Sequence, residues 1–152
     1  MSRIRVWLFA ALLFAFALGP VQSQPRGAPK LEPVAETKLL MEGLAEPNTR
    51  ALGKMLNGKP QGAEAWAFAR GQALLLAETG NLLLMRPPRA KASQDVWSQH
   101  AADLRDSATA LARAAAAKEM AQARAALASV GNACNRCHRA FGTGPRVDPF
   151  GE

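Results

Sequence analysis

The chain has 152 residues, with 19 Lys and Arg against 12 Asp and Glu for a formal charge of +7, and only two cysteines and two histidines. Its basic residues are scattered and no basic run is interleaved with aromatics, so nucleic acid is not expected as a partner. Beyond residue 23 there is no Ile or Tyr, and only four Val and five Thr among long tracts of Ala, Leu, Glu, Arg and Gln. A β-sheet protein could hardly be built from that mixture, and the chain reads as all-α.

Arg3 and Arg5, a thirteen-residue apolar run from Val6 to Leu18, Gly19-Pro20 and then Val21-Gln22-Ser23 follow the order of a secretory signal peptide. Residues 1–23 are therefore predicted to be a cleaved leader. The apolar run is shorter than the roughly 20 residues of a permanent spanning helix, which weighs against the competing reading as an uncleaved anchor. No cysteine follows the expected cleavage point to carry a lipid. Residues 24–152, 129 in number with 17 basic and 12 acidic side chains, suit one domain around one core. The expected location is the periplasm.

Pro25, Gly27 and Pro29 make an extended lead-in to about Leu31. The first helix is predicted from about Glu32 to Leu56, with Val34, Met41 and Ala45 facing inward and a kink or short break at Glu46-Pro47-Asn48. Asn57-Gly58-Lys59-Pro60 ends it. The second, about Gly62 to Met85, carries Trp66, Ala69, Ala73, Leu76, Gly80 and Leu84 in steps of three and four before Arg86-Pro87-Pro88. Gly80 on that stripe either admits a close neighbour such as a porphyrin edge or marks a helix irregularity. Ser93 is the expected N-cap of the third helix, whose seam is Trp97, Ala101, Leu104, Ala108, Leu111 and Ala115. The fourth, from about Lys118, continues the pattern through Met120, Ala123, Leu127, Val130, Cys134, Cys137 and Phe141. Gly142, Gly144 and Pro145 stop it, and residues 146–152 are expected to form a loose tail. Four such segments with short links predict an antiparallel up-down-up-down four-helix bundle.

The last helix holds Cys134-Asn135-Arg136-Cys137-His138. A Cys-x-x-Cys-His run offers two thiols to add across the vinyl groups of a porphyrin, and an imidazole for the iron. It predicts one heme c per chain, bound covalently by Cys134 and Cys137, with His138 as proximal axial ligand. Competing readings are a thioredoxin-like dithiol, which normally opens a helix after a strand, a zinc site, which needs further ligands, and a plain disulfide, which leaves His138 idle.

The opposite side of the iron is less determined. At about 1.5 Å per residue, Met55 lies about 21 Å beyond Met41, and Met120 about 27 Å before His138, so both are assigned to packing or surface. Met41, Met85 and His100 lie at the heme's expected level. Met41 faces inward and is the candidate distal ligand; Met85 sits at a helix end, His100 on the margin of its stripe, and a vacant sixth position is the competing reading.

These features resemble the cytochrome c prime and cytochrome c556 family of class II c-type cytochromes. The resemblance rests on Cys134, Cys137, His138, Phe141 three residues later, and Leu40-Met41-Glu42-Gly43-Leu44 in the first helix, and spans about Pro33 to Phe141. It implies an exported four-helix bundle with its heme on the fourth helix and Met41 on the distal side. Gly142 stands where the family commonly has Lys or Arg, and Thr37 where it often has a basic residue, with Lys38 as a substitute for contacts to heme propionates.

The expected function is one-electron transfer with periplasmic or membrane-bound redox proteins, helped by Arg136, Arg139 and Arg146 if the partner is acidic. The alternative implied by the resemblance is a gas-binding protein for NO or CO with an open sixth site. A homodimer is compatible with either. No Ser-His-Asp set, phosphate loop or paired carboxylates can be recognised, so no enzyme is expected.

Overall fold

The computed structural model describes residues 30–58, 60 and 62–151; the predicted leader, residues 1–23, lies outside them. Among the described residues there are four helices and no strand, an all-helical architecture consistent with a four-helix bundle. All four belong to one unit, Glu32–Glu152. Helix α1 comprises an α turn at Thr37–Leu40, a π turn at Met41–Ala45 and an α segment at Glu46–Asn57. Helices α2, α3 and α4 are Gly62–Leu84, Gln94–Ala116 and Met120–Phe141.

Helix α1 starts later than the sequence pattern suggests. Glu36 is extended, with ψ of 153°, and the helix opens only after it. Val34, expected on the inward stripe, lies ahead of the helix and is 99% exposed. Where a kink or short break is expected at Pro47, the chain stays helical but its ladder is irregular. Proline offers no N–H and crowds the carbonyl four residues back; here the ladder widens just before it, with the Glu46 N–H reaching the Met41 carbonyl five residues away. Buried Asn48 and Thr49 then donate side-chain bonds to the Leu44 and Ala45 carbonyls at 2.6 and 2.8 Å. The rod continues through the proline.

The core takes Leu52 and Leu56 from α1, Leu76 from α2, Leu111 from α3 and Leu127 and Val130 from α4, all fully buried. Between them lie Ala69, Ala73, Ala101, Ala108, Ala115 and Ala123, each at most 1% exposed. The predicted stripes of α2 and α3 hold, except that Leu83 is buried near the end of α2 while Leu84 is exposed; that of α4 holds to Val130, beyond which Ala133 is buried and Cys137 and Phe141 are half-buried. Gly80 admits the α3 backbone rather than a porphyrin edge, and α2 runs through it without irregularity. A Cβ there would lie 2.7 Å from the Ala101 carbonyl oxygen and 2.8 Å from the Arg105 nitrogen.

Trp97 donates its indole N–H to the Leu83 carbonyl at 2.8 Å, tying the start of α3 to the end of α2. Arg86 secures the same region, reaching the Leu82 carbonyl at 2.6 Å and the Ala35 carbonyl ahead of α1 at 3.0 Å. Ser93 makes no side-chain cap bond; a 3-10 turn, Lys91–Ser93, leads into α3 instead. Helix α4 begins after Lys118 because that residue is left-handed, with φ of 59°, and cannot open a helix.

The tail is docked, not loose. The Asn135 amide donates to the Val147 carbonyl at 2.7 Å and its oxygen accepts from the Val147 N–H at 2.8 Å. Pro149 rests against Gly53 of α1 and Gly131 of α4. The Phe150 carbonyl accepts from Asn57, and its ring lies 4.7 Å below the Arg124 guanidinium. A two-point bond, a pair of glycine seats and an aromatic stack hold what composition alone suggests should be free.

Candidate functional site

Helix α4 carries Cys134 and Cys137 one turn apart toward its C-terminus, on the side that continues Leu127 and Val130. Both thiols are free and half-buried, and Cys134 packs against the core. Burial, with a smaller contribution from the Cys137 thiol, pushes Cys134 up to about 11. Burial raises Cys137 as well. Both groups therefore sit at neutral pH as protonated, uncharged thiols. Reactive dithiols have a depressed thiol pKa, and burial shifts both of these the other way.

His138 occupies the last turn. Its Nδ1 is 2.8 Å from the Pro145 carbonyl oxygen. A carbonyl can only accept, so Nδ1 is the nitrogen that carries the hydrogen, which leaves Nε2 as the ligating nitrogen of the neutral ring. The chain reaches this position by a glycine-dependent reversal. Gly142, at φ of 60°, caps α4, and the Thr143 N–H bonds to the His138 carbonyl at 3.0 Å. Gly144, at φ of 71°, lies so close to the imidazole that a Cβ would meet the ring at 2.8 Å. The left-handed backbone at Gly142 is also the reason that a glycine suits a position where a basic residue was anticipated.

Beside the motif, Phe141 meets Trp97 edge-on, with centroids 5.2 Å apart, and lies 6.3 Å from the His100 ring. His100 Nδ1 is buried and has no hydrogen-bond partner among the described residues. Arg136 pairs with Asp103 of α3 at 3.1 Å.

Met41 opens the π turn and packs, half-buried, against the same apolar core as Cys134. The π turn packs chiefly on α2, whereas α1 meets α4 through its Glu46–Asn57 segment. Met85 lies in the turn after α2. Met55 and Met120 pack against the core, the role expected of them. Cys134, Cys137 and His138 are thus gathered on one stretch of α4, whereas Met41 lies in the π turn of α1, which packs chiefly on α2. Sequence reasoning did not anticipate the Pro145 carbonyl, the Asn135 clamp or the π turn. Only Gly142-Thr143-Gly144-Pro145, a turn signal directly after the histidine, pointed toward the first.

Residues 32–142 match the family model described as Cytochrome C'. The chain belongs to the cytochrome C' family. Comparison with curated proteins and with solved structures gives no match. As a cytochrome C' the chain is a c-type cytochrome, from a family that binds heme c and works in electron transfer or gas binding. Its residues fit that group by their own chemistry. Two uncharged thiols stand one turn apart, and an imidazole with Nδ1 engaged keeps Nε2 free. Among the described residues no three His, Cys, Asp or Glu side chains gather as an all-protein metal site would require. Heme iron needs no such cluster, because the macrocycle supplies four of its ligands.

Proposed function

We propose that this cytochrome C' is an exported one-electron carrier and not an enzyme. One heme c is held covalently by Cys134 and Cys137, with His138 as proximal ligand and Met41 as distal ligand. When bound, the group supplies a one-electron couple at iron; the protein's part is to hold it, shield it from water and fix its axial ligands. The observation that carries the reading is the end of α4, where two neutral thiols and an imidazole of the correct tautomer stand within five residues. The π turn supports the role of Met41, because such single-turn distortions concentrate at functional sites.

The four helices are taken to run up-down-up-down. The Leu83–Trp97 bond and the Gly80 approach to Ala101 and Arg105 pair earlier residues of α2 with later ones of α3, as antiparallel neighbours do. The leader assigned to residues 1–23 directs the chain to the periplasm, and no described helix is long and apolar enough to cross a membrane. Partners are periplasmic or membrane-bound redox proteins. Exposed Arg136, Arg139 and Arg146 near His138 favour an acidic docking face. Exposed Leu39 on α1 with Phe68, Leu74 and Leu75 on α2 supports a homodimer.

A second reading keeps the heme but leaves the sixth position open for NO or CO. It is favoured by the packing of Met41 on the core, which gives that side chain a purely apolar role. Absorption spectra of the matured chain, oxidised and reduced, with and without CO, separate the two. Electron transfer predicts low-spin ferric iron, a methionine-sulfur charge-transfer band that disappears in Met41→Ala, and poor CO uptake. High-spin iron that takes up CO readily overturns ligation by Met41.

A further inference from the structure

The segment after α4 lies beyond the region matched by the family model, which ends at residue 142, yet it provides the carbonyl that engages His138. That carbonyl is restrained from both sides. Upstream, the left-handed Gly142 and the Thr143 bond to the His138 carbonyl fix where the strap leaves the helix. Downstream, Asn135 grips Val147 through both its N–H and its carbonyl, two residues past Pro145. Pro149 is then seated in a notch that exists only because two helices lack side chains there. A Cβ on Gly53 would fall on the Pro149 carbonyl oxygen, and one on Gly131 would lie 2.6 Å from Pro149 Cγ.

We propose that Asn135, Gly53 and Gly131 are positioning residues for the proximal imidazole. They hold the strap, the strap holds the Pro145 carbonyl, and the carbonyl holds Nδ1–H. This inference rests on the assignment of His138 as the iron's proximal ligand. A hydrogen bond to the far ring nitrogen fixes both the tautomer and the ring's rotation, and it makes Nε2 a stronger donor. The two glycines act from a distance. Gly53 belongs to another helix, and Gly131 lies two turns before the histidine on its own, yet both set the same peptide.

The test uses the full mature chain with heme attached. First, heme that stays with the wild-type polypeptide after denaturation establishes covalent attachment. Then the hyperfine-shifted Nδ1 proton of His138 is followed by NMR on transfer to D2O. Gly131→Ala, which drives Pro149 from its seat, is expected to accelerate exchange of that proton at least about tenfold. Asn135→Ala, which removes both Val147 bonds without adding bulk, is expected to do the same. Gly131→Ala combined with Pro149→Ala removes the Cγ and Cδ atoms that clash, and exchange returns toward the wild-type rate. Unfolding midpoints in urea confirm that each variant folds.

Unchanged exchange in both Gly131→Ala and Asn135→Ala overturns the proposal. Acceleration in Gly131→Ala that the double variant does not reverse overturns the assigned role of the Pro149 seat. A wild-type chain that loses its heme on denaturation overturns the reading of the site beneath it, a separate result seen before any variant is made.

Discussion

Two glycines on one helix offer a matched measurement of how closely α2 and α3 approach. Gly71 is exposed, with nothing within 4 Å of where a Cβ would stand, whereas a Cβ on Gly80 would lie 2.7 to 2.9 Å from three atoms of α3. Replacing either by alanine gains helix propensity, about 1 kcal/mol in a helix interior. At Gly71 that gain is the whole effect, so Gly71→Ala is expected to stabilise by about 0.5–1 kcal/mol. At Gly80 two of the three atoms are backbone, so the helices must separate by several tenths of an ångström. Overpacking of this kind costs about 1–3 kcal/mol. The two variants should therefore differ by about 1–3 kcal/mol, with Gly80→Ala falling between neutral and about 2 kcal/mol destabilising. Urea unfolding of the heme-loaded chain, with slopes checked for equality, reads the difference directly. Equal stabilisation by both substitutions would refute the claimed backbone contact at Gly80.

Trp97→Phe keeps an aromatic ring against Phe141 but removes the indole donor to Leu83, and should lower stability by about 1 kcal/mol in thermal or urea melts; no loss would mean that the bond is not maintained. Gly144→Ala places a methyl against the imidazole and forces φ of 71° on a residue with a side chain, at about 1–2 kcal/mol for the backbone alone. It should also displace the His138 Nδ1 proton resonance, whereas an unshifted resonance would place the ring elsewhere. The Asp103 carboxyl is held below 3.8 first by the Gln99 amide and then by Arg136, against the opposing effect of burial. A depressed carboxylate contributes stability above the unfolded pKa and loses it as pH falls through the folded one. The stability gap between the wild type and Asp103→Asn should accordingly be present at neutral pH and close as pH falls below 3.8; a gap independent of pH would show that the carboxylate's charge contributes nothing.

What was legible in the sequence was whatever repeats along a helix. The steps of three and four that place Leu76, Leu104, Leu111, Leu127 and Val130 inside are a property of the α-helix itself, and those residues are buried. The Cys-x-x-Cys-His run was legible for a different reason, since its chemistry lies within five consecutive positions. The start of α1 was not, because apolar Val34 fits the period but the backbone is still extended at Glu36, beyond it. At Pro47 the kink or short break expected from the usual rule takes the form of a π turn just ahead of it, without interruption of the helix. One residue more in the turn before it, with Asn48 and Thr49 supplying side-chain donors, lets the helix pass.

The surroundings of His138 were illegible for a deeper reason. The group that engages His138 is a backbone carbonyl, and every residue has one, so no residue type announces it. What fixes that carbonyl is spread over Asn135 inside the motif, glycines on α1 and α4, and a proline four residues downstream in the tail. Asn135 stands between the cysteines with nothing in the motif to mark it, and Gly53 is one glycine among many in a helical segment. Each acquires meaning only when the strap folds back, which depends on the positive φ at Gly142 and Gly144. A leucine at Gly53 would have satisfied every rule of helix propensity and amphipathic pattern. It would also have filled the Pro149 seat and removed the downstream hold on the carbonyl that keeps Nδ1 of His138 in place.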